Sequence, residues 1–350
     1  MSAPAAMTTV LLCGYGAFGA RHHAAWSRLG ARVIVCDPSE DARGRAKEAG
    51  VDAADIAAGM DDLLARADCV AIVTPPDTHL ALAEQALAAG KPVLLEKPAV
   101  ATLEEAHALV EARSRSGCVV QVNLVLRAHP MTMRALEVLE AGEIGHLALM
   151  EGRFCGWKRR HLAVGLEEND GVHFLDLMQL FAGASITRVG AHAVTLPSPQ
   201  CADDMMLCTQ HANGICGRLS LGMLMPGDGI DAFVPGAMTD KVLKLVGDRG
   251  CLTLDFNANR LTFQAVRFDQ TETTIEVVPS RSWSEVFPGA TPDHLLAASA
   301  QRFLAAIDGK EPPLVSLHDG ALEIARVLAA IPTAREIAAT RFVPIDRIAV

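Results

Sequence analysis

The sequence predicts an α/β fold in two parts: a doubly wound parallel sheet, then an α+β domain on a large, mainly antiparallel open sheet. Two changes of texture and the length predict it. From residue 9 to about 125, short aliphatic runs alternate with Ala-rich segments of helical length, the pattern of strands that pair in parallel through helical crossovers. Beyond the turn "GEIG" the chain turns to longer apolar/polar alternation broken by hairpin signals. At 350 residues it is long enough for two cores. The boundaries read as 1–126 and 127–350, with a helix at 318–338 packing back on the first domain.

The strands of the first part are "VLLC" (10–13), "VIVC" (33–36), "VAIV" (70–73), "VLL" (93–95) and "VVQV" (119–122). Helices are expected at 17–29, 39–49, 78–89 and 103–115, and another at 131–141. In the second part strands are expected at 146–155, 186–196, 204–211, 215–223, 241–254 and 260–278, with helices at 170–182, 294–308 and 318–338. The stretch 280–292, "SRSWSEVFPGATP", is the least regular.

The net charge of −10 disfavours nucleic acid and anionic membrane surfaces as partners. Nine cysteines lie scattered without a C-x-x-C pair, which reads as small buried hydrophobes in a reducing compartment. Cys201, Cys208, His211 and Cys216 could be imagined as zinc ligands. However, "LCTQHANGICGRLSL" alternates about an Asn-Gly pair, so a hairpin would divide them between sheet faces, and no metal is expected. The N-terminus lacks a basic segment followed by an apolar core, and no run approaches a membrane span, so a cytoplasmic protein is expected.

In a parallel sheet, ligands sit at the carboxyl ends of the strands. That edge carries Gly14, Asp37, Thr74 and Lys97. "VLLCGYGAFGARHHAAW" sets Gly14, Gly16 and Gly19 in G-x-G-x-x-G spacing between a strand and a helix. The first permits the tight turn, the second lets backbone approach a pyrophosphate, and the third lets helix and strand pack closely. Tyr15, Ala17 and Phe18 complete the loop. Asp37, 23 positions beyond Gly14, suits ribose hydroxyls and would repel a 2′-phosphate. NAD is therefore expected over NADP, with Arg43 and Arg45 keeping NADP open.

"VAIVTPPDTHLALAEQALAAGKPVLLEKPAVATLEEA" resembles the Gfo/Idh/MocA oxidoreductase family through Thr74, Pro75 and His79, then Glu96, Lys97 and Pro98. The likeness extends to His22, to "LRAHP" (126–130) where the family has R-F-x-P, to "DGVHFLD" (170–176), and to the last helix after "PLVSLHDG", nearly the whole chain. It implies a Rossmann-like domain, a second domain whose open sheet often mediates homodimers or homotetramers, and NAD- or NADP-dependent chemistry on hydroxyls of sugars, cyclitols or nucleotide sugars, without metal. Cofactor contacts are then expected from Gly14 to Gly19, Asp37, Thr74, Pro75, His79, Glu96, Lys97 and Asn123. Lys97 would hydrogen-bond the reacting oxygen.

Elementary chemistry agrees: oxidising an alcohol by hydride transfer needs a base for the hydroxyl proton and positive charge beside the oxygen. Pro98 restricts Lys97 to extended backbone and can take a cis bond. In "ENDGVHFLDLMQLFAG", His173 and Asp176 share one face of a helix otherwise apolar nearly all round, a costly placement unless the groups are paired or used. His173 is assigned as base or acid and Asp176 as its neighbour or a hydroxyl acceptor. Family members often carry Asp four residues before this His; here Asn169 stands there and Asp170 one later, either as N-cap or as a catalytic or substrate-binding group. Arg153, Lys158, Arg159, Arg160 and His161 form either a solvated loop or a clamp for an anionic substrate, with Arg127 a further substrate contact. Two other readings stay open: an NADPH-dependent ketosugar or imine reductase, and a catalytically silent NAD(H)-binding sensor or scaffold.

Overall fold

The computed structural model describes residues 7–158, 164–196 and 202–340. The chain divides into two compact units, one running to Ala128 and resuming over Thr291–Ala325, the other comprising His129–Ala290 and the chain from Arg326 onward.

In the first unit the elements are β1 (Thr9–Cys13), α1 (Ala17–Arg28), β2 (Arg32–Cys36), α2 (Glu40–Glu48), β3 (Ile56–Ala57), α3 (Asp61–Leu64), β4 (Cys69–Ile72), α4 (His79–Ala88), β5 (Val93–Leu95), α5 (Leu103–Ser116) and β6 (Val120–Val122). The strands form a parallel sheet in the order β3-β2-β1-β4-β5-β6. Because helices cover such a sheet on both faces, β4 and β5 are buried throughout and can be almost wholly aliphatic. Strand order reverses between β1 and β4, and there the glycine turn opens. Helix starts follow capping chemistry: Ser39 accepts from Ala42 N–H, and Thr102 accepts from Glu105 N–H while Glu105 accepts from Ala101 N–H. Gly117, at φ +69°, ends α5.

The second unit holds α6 (Pro130–Glu140), β7 (Leu147–Trp157), α7 (Val172–Ala182), β8 (Ile186–Val194), β9 (Asp204–His211), β10 (Cys216–Gly222), β11 (Gly229–Ile230), β12 (Met238–Gly247), β13 (Gly250–Asp255), β14 (Arg260–Gln270) and β15 (Ile275–Val286). The order is β15-β14-β13-β12-β7-β10-β9-β8, with β11 on β12; among the described residues, β7 and β10 are the only strands of this sheet that pair in parallel. One face is covered. A Cβ on Gly152 of β7 would lie 2.9 Å from Phe174 of α7, so the missing side chain lets helix and sheet approach. The other face is open, which gives the alternation of buried and exposed positions along β12.

The chain then returns. α8 (Pro292–Ile307) and a π-helical turn at His318–Glu323 belong to the first unit, and α9 (Ile324–Thr340) starts there and runs into the second. α8 supplies Ala300 and Phe303 to the core that contains Val10, Leu12 and Trp26. Ser316 bridges to Gln121 of β6, and the turn packs on Val122 so closely that only Gly320 fits.

Several expectations change. The second domain does not take everything from 127: 291–325 joins the first unit, because the first core is finished by α8 rather than by local helices. The expected strand 241–254 is two, β12 and β13, turned at Asp248 and Arg249, and 260–278 is also two, turned over 271–274. Alternation resumes in β13 after the first of these turns, so the pattern alone hides that break. The "irregular" 280–292 is strand to Val286; β15 is an edge strand with no buried residue, so no alternation betrays it. β3, two residues long, carries no periodicity to read.

Candidate active site

Gly14 adopts φ +94°, and a Cβ there would meet the Val73 carbonyl oxygen at 2.5 Å. A Cβ at Gly19 would meet the Gly14 carbonyl oxygen at 2.2 Å, so both glycines are dictated by the turn itself. Around Gly16 the space is open. α1 starts after Gly16 with no side-chain cap, leaving the N–H groups of its first turn directed at that space. An open glycine beside an uncapped helix start fits a pyrophosphate. Asp37 Oδ2 accepts from Tyr15 N–H (2.7 Å) and Oδ1 from Ser39 N–H (2.8 Å), which fixes the carboxylate at the end of β2. Arg43 and Arg45 donate to the backbone carbonyls of Asp37, Pro38 and Tyr15. Tyr15 itself is buried, its hydroxyl 2.7 Å from His23 Nδ1, so it contributes backbone rather than side chain to the turn.

At the ends of β4 and β5 two residues expected as cofactor contacts face inward instead. His79 is fully buried, with Nε2 2.9 Å from the Thr74 carbonyl and Nδ1 3.0 Å from that of Pro98; it ties the two strand ends together. Glu96 is buried too. Its Oε1 accepts from His22 Nε2 (2.8 Å) and from the Asn123 amide, and its Oε2 accepts from Lys97 N–H (3.0 Å). Burial raises the Glu96 pKa, but His22, Asn123 and the Lys97 charge outweigh it and hold the group below the usual carboxylate range. The physical reason for the inward placement is that buried polar groups must be satisfied, and these satisfy one another. Asn123, also expected at the cofactor, is 1% exposed and engaged here. Lys97 and Pro98 remain half-buried, joined by a cis peptide. Arg127 is buried, with Nη1 3.6 Å from Asp319.

In the second unit Lys158 and Asp170, both nearly inaccessible, pair at 2.6 Å. Asn169 donates to the other Asp170 oxygen at 3.0 Å. Asp170 is thus satisfied by Lys158 and by Asn169, which is itself exposed. A π-helical turn over Glu167–Gly171, closed by Val172 N–H to the Glu167 carbonyl, precedes α7. His173 stacks on Phe154 of β7 with ring centroids 6.3 Å apart, and Lys158 Nζ lies 4.5 Å from the same ring. Asp176 is buried.

Two residues that sequence reasoning missed complete this cluster. Lys241, the cross-strand partner of Phe154, places its ammonium 4.8 Å from the ring and pairs with buried Asp231 at 2.7 Å. Burial raises the Asp231 pKa, yet Lys241 and the N–H groups of Phe233 and Val234 bring it below the ordinary carboxylate range. A signal existed: Lys241 sits in the inward phase of a strand whose next inward residues are Leu243 and Leu245.

Arg153 does not join. One step along β7 from Phe154, it projects from the open face and pairs with Asp240 at 3.1 Å. There it lines a cavity of about 560 Å³ with Glu151, Lys244 and Asp255. Lys158, expected in an anion clamp, is neutralised by Asp170. Arg159, Arg160 and His161 lie outside the described residues, as does Cys201. Cys208 and Cys216 are exposed while His211 is buried and 2.9 Å from the Ala184 carbonyl, so the hairpin puts the thiols and the imidazole on different faces.

A glycine-turn dinucleotide edge in one unit and a helix-covered open sheet carrying His173 in the other define a two-part class of oxidoreductase. Residues 8–124 match the oxidoreductase family with an NAD-binding Rossmann fold, and residues 132–253 match the GFO/IDH/MocA C-terminal domain. The chain belongs to the Gfo/Idh/MocA family. UDP-N-acetylglucosamine 3-dehydrogenase of Acidithiobacillus ferrooxidans is 36% identical over 140 residues, which is 39% of this chain and 44% of that protein. The chain thus aligns with less than half the length of that relative. Inositol 2-dehydrogenase 2 of Saccharopolyspora erythraea is 29% identical over 69% of this chain and 71% of its own. Among solved structures, that of the Acidithiobacillus enzyme shares the fold, with a TM-score of 0.76 at 23% identity, covering 96% of this chain and 99% of the other.

Proposed function

We propose that the chain is an NAD-dependent dehydrogenase that moves a hydride between nicotinamide and a secondary hydroxyl or ketone of a cyclitol, sugar, sugar acid or nucleotide sugar. The observation that carries the reading is Lys97: a half-buried cation at the end of β5, on the sheet edge where the glycine turn and Asp37 are arranged for a dinucleotide. The names of the relatives, inositol and UDP-N-acetylglucosamine dehydrogenases, support the substrate class.

NAD, held by the Gly14–Gly19 turn and Asp37, supplies the two-electron acceptor. Lys97 donates a hydrogen bond to the reacting oxygen and stabilises the negative charge that grows on it as its proton leaves. His173 receives that proton. The Lys158–Asp170 pair fixes the start of α7, and with it the imidazole, while leaving Asp170 able to accept from a substrate hydroxyl. Asp37, held by two backbone N–H groups, favours NAD over NADP. The protein is expected in the cytoplasm as a homodimer or homotetramer joined through the open sheet face, where Trp157 and Met238 lie exposed as cross-strand partners.

The test is a screen of NAD and NADP reduction across polyols, sugar acids and UDP-sugars, with Lys97→Ala beside the unaltered protein and light scattering on the same samples. We expect turnover with NAD on one of these classes, a fall in kcat of about 100- to 1,000-fold in Lys97→Ala with NADH still bound, and two or four copies. Full activity of Lys97→Ala removes the mechanism, a preference for NADP removes the cofactor assignment, and a single copy removes the assembly.

A further inference from the structure

The Glu96 carboxylate is the end of a longer chain of buried polar groups. Leu314 N–H donates to Gln121 Oε1 at 2.8 Å. Gln121 Nε2 donates to Ser299 Oγ at 3.1 Å and to the Ser299 carbonyl at 2.9 Å. Ser299 Oγ donates to Asn123 Oδ1 at 2.6 Å, and the Asn123 amide donates to Glu96 Oε1. Gln121 and Ser299 have no exposed surface and Asn123 has 1%. Bulk solvent does not reach these groups.

The chain can run only one way. At one end stands a backbone N–H, which can only donate, so the atom of Gln121 facing it must be oxygen and the atom facing Ser299 must be nitrogen. At the other end stands a carboxylate held in its ionised form, which can only accept, so Asn123 must give it nitrogen and present oxygen to Ser299. Both ends therefore force the serine hydroxyl to accept from Gln121 and donate to Asn123. Aligned bonds of this kind polarise one another and strengthen toward the anion. The anion in turn accepts the Lys97 backbone N–H.

We propose that Gln121 and Ser299 are positioning residues for Lys97: a one-way hydrogen-bond relay from the Leu314 amide orients Glu96, which fixes the backbone from which the Lys97 amine extends. The proposal rests on the reading of Lys97 given above. A merely structural network would knit α8 to the sheet and affect stability alone. The relay makes a sharper demand, since reversing one bond must disturb the lysine without removing any atom from the core. Gln121→Glu does this. Ionised, its carboxylate still accepts from Leu314, but the oxygen in place of Nε2 cannot donate to the Ser299 carbonyl and draws the serine hydroxyl toward itself, so Asn123 must turn its nitrogen to Ser299 and its oxygen to Glu96, acceptor against acceptor.

The experiment compares Ser299→Ala, Ser299→Thr and Gln121→Glu with the unaltered protein, using myo-inositol or UDP-N-acetylglucosamine with NAD, and reads kcat, KM, NADH binding and melting temperature. It also reads hydrogen exchange at the Lys97 amide. Ser299→Ala and Gln121→Glu should each lower kcat about 10-fold with KM and NADH binding within about 2-fold, while Ser299→Thr, which keeps the hydroxyl, stays within about 2-fold of the parent. In the unaltered protein the Lys97 amide should exchange as slowly as those of β5. Parental kcat in folded Ser299→Ala and Gln121→Glu overturns the relay, and so does rapid exchange at the Lys97 amide of the unaltered protein, a reading that needs no variant to fold. If Lys97→Ala is inactive while these variants are not, only the relay falls. If Lys97→Ala is active and the amide is protected, the role of the lysine falls and the relay's geometry stands.

Discussion

Glu96 shows what it takes to keep a charge inside a fold. Its carboxylate is buried and ionised because His22, Asn123 and a backbone N–H supply what water would. The sign of the resulting pH dependence follows. A carboxylate whose pKa is lower folded than unfolded contributes stability at neutral pH, and that contribution is lost as pH falls below the ordinary carboxylate range toward the folded value. Urea unfolding between about pH 6 and pH 3 should therefore show a steeper acid decline for the parent than for Glu96→Gln, which has no charge to lose. Parallel declines would mean that Glu96 is not held as an anion.

Among the elements, α7 depends most on a detail that periodicity does not encode. Its apolar surface and the pair His173 and Asp176 were legible, because a residue every three or four positions defines a face. The π-helical turn before it was not, since one extra residue per turn leaves no mark in composition. Nor was the pairing of Lys158 with Asp170, or of Lys241 with Asp231, because each is made across a stretch of 10 to 12 residues whose sequence carries no periodicity to read. The glycine turn and the positions of Asp37 and Lys97 at strand ends were readable for the opposite reason: each place is set by local backbone geometry next to a strand end. His79, Glu96 and Asn123 were located at the right edge but given the wrong direction, for a sequence says where a strand stops and not which way its last side chains point. The Lys158–Asp170 pair makes a prediction of its own. Lys158→Met, which leaves the buried Asp170 carboxyl without its ion-pair partner, should destabilise the protein by about 3 kcal/mol in urea unfolding, and adding Asp170→Leu should restore most of that. If the double variant is no more stable than the single one, the pair is not an isolated unit of charge compensation.

For the molecule as a whole, the determining feature is that the first core is assembled from two distant stretches of chain. Trp26 of α1 packs edge-on against Phe303 of α8, with ring centroids 6.3 Å apart, and Gln121 of β6 bonds to Ser299 and Leu314. A fragment ending at Ala128 should thus expose Trp26, with red-shifted emission and dye binding typical of a loosely packed state, whereas joining 291–325 to it should restore blue-shifted emission and cooperative melting. Native-like emission from the shorter fragment would mean that α8 is dispensable to the core.

The same discontinuity sets a schedule during synthesis. On the ribosome, the glycine turn and its six strands leave the exit tunnel long before the helix that finishes their core has been decoded. At a rate of about 5–20 residues per second, the nascent nucleotide-binding half waits roughly ten seconds or more, with an apolar flank uncovered. The antiparallel half, begun in that interval, waits in turn for the chain from Arg326 onward, so neither half is finished by its own first stretch, and the early half is the one a chaperone would have to shield.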